Sequence, residues 1–124
     1  MPLEGWKQRT ILLFIMDQKR LQDLLERIEK HPTNVLDRFV LAKMYYDNGL
    51  WNEALVACQE ILKLKPDYLV VQIMLGDSFL KSGHFSAARD TLHDAKETAT
   101  RQNHMGMLPE IEELLEEIPD YDGR

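Results

Sequence analysis

Four histidines, one cysteine and a run of carboxylates are the side chains here whose types carry chemistry. His31, His84, His93 and His104 would serve as metal ligands or general bases. A metal site wants its ligands on one face, as two histidines at i, i+4 provide. No histidine pair has that spacing. His93 and Glu97 do, but such a pair is more often a solvated helical pair, and metal sites need more ligands. No metal and no other cofactor is expected. Cys58 falls at a buried-type position, so it reads as an inert core thiol; reactive cysteines sit in exposed, electropositive places. The carboxylates of the acidic tail would face solvent, where general acid–base work gains no shifted pKa. There is no Gly-rich phosphate loop and no G-x-S-x-G. The sequence therefore reads as non-catalytic.

The elements that must position these residues belong to a chain of 124 residues, 44% hydrophobic and 29% charged. That suits one folded domain with a real core. One cysteine permits no internal disulfide. The longest apolar run, Ile11 to Met16, is six residues and is followed at once by Asp17-Gln18-Lys19-Arg20. A membrane span needs ~20 apolar residues, and an export signal has a different layout. A cytoplasmic protein is expected. The net charge is −6, and all of it lies in residues 107–124, which carry seven acids and one base. With no basic surplus, neither nucleic acid nor anionic membrane is an expected partner.

Residues 35–68 and 69–102 are related by an offset of 34: Leu41 and Leu75, Ala42 and Gly76, Tyr45 and Phe79, Gly49 and Gly83, Trp51 and Phe85, Ala54 and Ala88. Each unit reads as two helices. Gly49 suits the left-handed conformation that ends a helix. Asn52 and Ser86 are the expected starts of the second helices, and Pro66 closes the first unit. The helix that begins at Ser86 has no closing proline and is expected to run to about Asn103. Ile11, Ile15, Leu21, Leu24 and Ile28 mirror Leu41, Tyr45, Trp51, Ala54 and Cys58 at an offset of 30. Residues 4–34 thus look like a degenerate unit, although Lys19 stands where Gly is expected. Two short helices are favoured there over one helix from about Glu4 to Lys30. Leu108, Ile111, Leu114, Leu115 and Ile118 fall at helical spacing. They suit a capping helix over 107–119 with its glutamates outward; residues 120–124 are expected to fray.

The pattern Leu-(Ala/Gly), Tyr/Phe, Gly, Trp/Phe, Ala at this spacing resembles the tetratricopeptide repeat (TPR) family. The family's tryptophan is absent, and Arg38 and Gln72 stand in its place. The resemblance implies an all-α fold: a right-handed superhelix of helical hairpins with a C-terminal capping helix. It implies that partners are held on the concave face, lined by the first helix of each unit. Carried over residue by residue, that face is Phe39, Val40, Lys43, Tyr46 and Asp47, then Ile73, Met74, Asp77 and Lys81. Trp6, Arg9 and Leu13 join them if the N-terminal unit is real. Phe39, Val40, Tyr46, Ile73 and Met74 would be apolar anchors, and the charged residues would set register. The positions at which one TPR subclass grips a carboxyl terminus hold Phe39, Lys43 and Met74, which excludes that ligand here.

The expected function is a non-catalytic adaptor or scaffold that holds a peptide or helix of another protein. Two alternatives stand beside it. One is a small acidic chaperone for a secreted client. The other is a structural homo-oligomer, in the simplest case a homodimer, that fills its own groove; the apolar stretch from Trp6 to Met16, broader than one helical stripe, is the discriminating feature, since it is either sandwiched within one chain or shared between two. The acidic C-terminal ridge would most simply keep the cap soluble.

Overall fold

Residues 5–120 of the chain, with side chains from residue 18 onward, are described by a computed structural model. It has six α-helices: α1 (Gly5–Lys30), α2 (Val35–Asp47), α3 (Trp51–Leu64), α4 (Leu69–Lys81), α5 (Phe85–Arg101) and α6 (Leu108–Glu117). A turn of 3-10 helix over Met105–Met107 leads into α6. No strand occurs among the described residues, so the fold is all-α.

The helices end where the backbone can turn left-handed. After α2, Gly49 has φ 71°; its amide donates to the Tyr46 carbonyl (3.1 Å) and the Leu50 amide to that of Tyr45 (3.0 Å). After α4, Gly83 has φ 84° and repeats both bonds, to Leu80 (3.1 Å) and, through His84, to Phe79 (2.8 Å). Each pair is the Schellman arrangement, in which orphan carbonyls of the last turn are satisfied by the chain leaving the helix. The same turn follows α5, with Asn103 at φ 62° and His104 bonded back to Ala99 (2.7 Å). α5 therefore stops at Arg101, slightly short of the expected Asn103.

The helix starts differ from expectation. Neither Asn52 nor Ser86 caps a helix: α3 and α5 begin at Trp51 and Phe85, with no side-chain cap. The tight turn leaves no room for a separate cap, because Leu50 and His84 already accept from Ala54 and Ala88 (2.8 and 2.9 Å). At α2 Asn34 does cap, accepting from the Asp37 amide at 3.2 Å.

Residues 5–30 form one helix rather than the favoured two. The reason is local. No Gly or Pro occurs between Trp6 and His31, so nothing interrupts the hydrogen-bond ladder. Arg27 and Lys30 fall in its last turn, where cations suit the helix dipole. No described helix is long and apolar enough to cross a membrane.

Packing is serial. Leu24 and Ile28 of α1 pack with Met44, Val40, Leu41 and Tyr45 of α2 and with Leu50. Ala42 of α2, Ala57, Cys58 and Ile61 of α3, and Val71, Met74 and Leu75 of α4 form the middle cluster. Leu69, Ile73 and Leu80 of α4, Ala88, Leu92, Ala95 and Ala99 of α5, Ile111 and Leu114 of α6, and Ile118 form the next. At Gly76 α4 and α5 approach closely; a Cβ there would lie 2.6 Å from Cγ and Cδ2 of Leu92. α6 caps the stack, tied by Lys96 to Glu112 (2.7 Å) and by Arg89 to the Pro119 carbonyl (3.4 Å).

Candidate partner-binding groove

Phe39, Val40, Lys43 and Asp47 converge on one feature. With Arg20, Met44 and Asn48 they line a groove of about 240 Å³ between α1 and α2. Phe39 and Val40 are half-buried and form an apolar floor. Lys43 and Asp47 sit at the rim, paired at 2.7 Å, with their side chains 50% and 52% exposed. Such a pair on an exposed i, i+4 spacing contributes only ~0.3–0.5 kcal/mol. Both groups are therefore free to exchange partners. The Phe39 ring stacks on Tyr68 (5.7 Å, 12°), and the Lys65 ammonium lies 4.7 Å from the other partner of that stack, the Tyr68 ring.

The remaining predicted residues do a different job. Ile73 and Met74 are only 5% exposed and are not open anchors, which corrects their assignment. Ile73 lies in the buried cluster that also holds Ile111 and Leu114 of α6. Met74 packs under α2, with Phe39 and Tyr46. Asp77 is 7% exposed. It accepts a hydrogen bond from the Tyr46 phenol and pairs with Lys81 at 2.6 Å. Tyr46 also meets Trp51 edge to face, with centroids 5.6 Å apart. Burial first, and then the Asp77 carboxylate, push the Tyr46 phenol well above its usual pKa. These residues hold α2 to α4. They are apolar or charged at concave positions because neighbouring helices cover them, a distinction that residue type alone does not carry. Trp6, Arg9 and Leu13 lie on α1 but outside the residues whose side chains are described.

Two features escaped the sequence. Arg38 and Gln72, at the missing tryptophan positions, each donate to the carbonyl of the proline six residues before: Arg38 to Pro32 at 2.6 Å, Gln72 to Pro66 at 3.3 Å. The inter-hairpin loops are thus tied by a polar side chain. The spacing of Pro32-Arg38 and Pro66-Gln72 is the signal that would have found this. The second feature is an open recess of about 480 Å³ on the α2–α3 face, between Leu41, Tyr45 and the 53%-exposed Val56.

Cys58 is fully buried, and burial pushes its thiol up to about 12. Among the described residues, no three His, Cys, Asp or Glu side chains converge as a metal site would require.

No curated protein matches the chain. The profile of the tetratricopeptide repeat matches residues 45–108. That match spans α3, α4, α5 and the Schellman turns at Gly49 and Gly83, where the repeat of 34 was read. Repeats of this kind mediate protein–protein interaction. On the helical hairpins, the recurring turns and the profile match together, the chain belongs to the tetratricopeptide repeat family.

Proposed function

We propose that the chain is a non-catalytic adaptor that holds a helical segment of a protein partner in the groove between α1 and α2. The observation that carries this reading is the junction one unit along. There α4 presents Met74 and Asp77 to α2, and both are buried. The positions 34 residues earlier, Val40 and Lys43, face the groove instead. The groove thus stands where the next junction along seats a helix. Phe39 and Val40 supply apolar contact, and Arg20, Lys43 and Asp47 set register at the rim. In this reading the protein works in the cytoplasm, where Cys58 stays reduced.

A photo-crosslinking side chain placed at Lys43 tests it. A polypeptide should be captured at Lys43, and none at His93, an exposed residue of α5. Equal capture at the two positions would sink the groove assignment.

A further inference from the structure

We infer that the groove between α1 and α2 takes residues 5–17 of a second copy of the chain, so that two copies exchange the first helix each lacks. This names the partner at the site proposed above and rests on that reading.

The stack is unequal at its two ends. Ile73 and Leu80 of α4 share one buried cluster with Ile111 and Leu114 of α6. Met74 and Asp77 of α4 are covered by α2. α2 has α4 on one side, but on its other side Val40, Lys43 and Asp47 line an open groove. Among the described residues, nothing does for Lys43 what Tyr46 does for Asp77. The missing piece is a first helix.

The sequence still carries that helix. Ile11 and Ile15 stand 30 residues before Leu41 and Tyr45, and so keep the spacing with which a first helix meets its second. Residues 5–17 number thirteen, as do α2 and α4. At 1.5 Å per residue each is about 20 Å long. Ile11 to Met16 is apolar on more sides than one contact uses.

The donor is a second copy because α1 is unbroken. Arg20 shares the groove with Asp47 and Asn48, at the far end of α2. Residues 5–17 therefore continue beyond α2 rather than returning along it. A return would have to break the helix within Asp17-Gln18-Lys19-Arg20, which has no Gly or Pro, and orphan backbone groups on both sides of the break. Exchange keeps the helix whole. Two α1 helices lie antiparallel about a two-fold axis near residues 17–20, each N-terminal half between α1 and α2 of the other copy. Such exchange of an identical element is a low-cost and closed route to a dimer. By the register of Tyr46 on Asp77, Met16 of one copy falls opposite Lys43 of the other.

Sedimentation of the full chain tests this. The expected species at micromolar concentration is a dimer. Val40→Arg (the seat) and Met16→Arg (the donor) should each weaken it at least tenfold. An equimolar mixture of the two variants should dimerise more tightly than either variant alone, because one of the two junctions then joins an intact donor to an intact seat. A second measurement avoids burial at Val40: Lys43→Cys mixed with Met16→Cys should form a disulfide-linked heterodimer, and neither should do so alone. A wild-type chain that stays monomeric at all concentrations overturns the inference. So does a mixture that dimerises no more tightly than either variant, or the absence of that disulfide. If the chain is monomeric but the crosslinker at Lys43 captures a foreign polypeptide, the groove stands and only the second copy is wrong. If it captures nothing, both fail.

Discussion

The Tyr46 phenol on α2 donates a hydrogen bond to the Asp77 carboxylate on α4, across the junction between the two hairpins. Asp77 is buried and its other oxygen holds Lys81. Tyr46→Phe should destabilise the chain by about 1–2 kcal/mol at neutral pH, the cost of a lost bond to a charged, buried acceptor. The pH dependence has a sign. The native phenol keeps its proton above the ordinary value of 10.0, where the unfolded phenol loses it. The unfolded state then binds fewer protons, so this stabilisation is full below pH 10 and is lost as pH rises beyond it. Urea melts of both proteins at neutral pH and at about pH 11 should show the difference shrinking. An undiminished difference would rule out the phenol as its source.

Gly76→Ala should also destabilise. Its new Cβ meets the body of Leu92 at 2.6 Å, and Leu92 is fully buried and cannot withdraw. Overpacking of this kind costs about 1–3 kcal/mol. The better helix propensity of alanine returns up to ~1 kcal/mol. Gly106→Ala, with nothing within 4 Å, is the control and should change stability by less than about 0.5 kcal/mol. Thermal melts in which the two variants behave alike would refute the close approach.

Cys58 should be silent to thiol reagents in the native protein. Burial holds the thiol near 12, so almost no thiolate exists at pH 8, and no reagent reaches it. Disulfide-exchange labelling should proceed only at the rate of unfolding and become fast in urea. Rapid labelling of the folded chain would contradict the placement of Cys58 in the core.

Ile111→Ala should cost about 2–5 kcal/mol, because Ile111 is the fully buried residue on the inner face of α6. Its loss loosens α6 in the cluster it shares with α4 and α5. The variant should melt earlier and bind an apolar dye in the native range. An unchanged melting temperature would mean that α6 does not cap the stack.

The repeat was legible because its signals are local. Gly49 marks a helix end in the sequence, and it and its repeat counterpart Gly83 both have the positive φ such an end requires. The heptad-like spacing of Ile111, Leu114 and Ile118 was likewise readable, since those three are buried. The two expected caps, Asn52 and Ser86, failed because a Schellman turn already supplies the partners a cap would. The single helix α1 is not legible from periodicity, which records which face is apolar and not whether the axis bends. Lys19 was the better guide, for it offers no left-handed turn. The groove was legible in part. Phe39, Val40, Lys43 and Asp47 meet there. Met74 and Ile73 have the same type of side chain but lie between helices, and that depends on which units have neighbours.

That inequality of neighbours also orders the chain in time. α4 is buried along nearly its whole length, whereas the described part of α1 is held chiefly by Leu24 and Ile28. In a stack whose units touch only adjacent units, opening proceeds from the weakly held end. Amide protons of α4 should therefore exchange with solvent deuterium only when the whole stack opens. In a chain parted from its second copy, those of residues 18–30 should exchange first, so that the lifetimes of the hydrogens trace the order in which the helices let go.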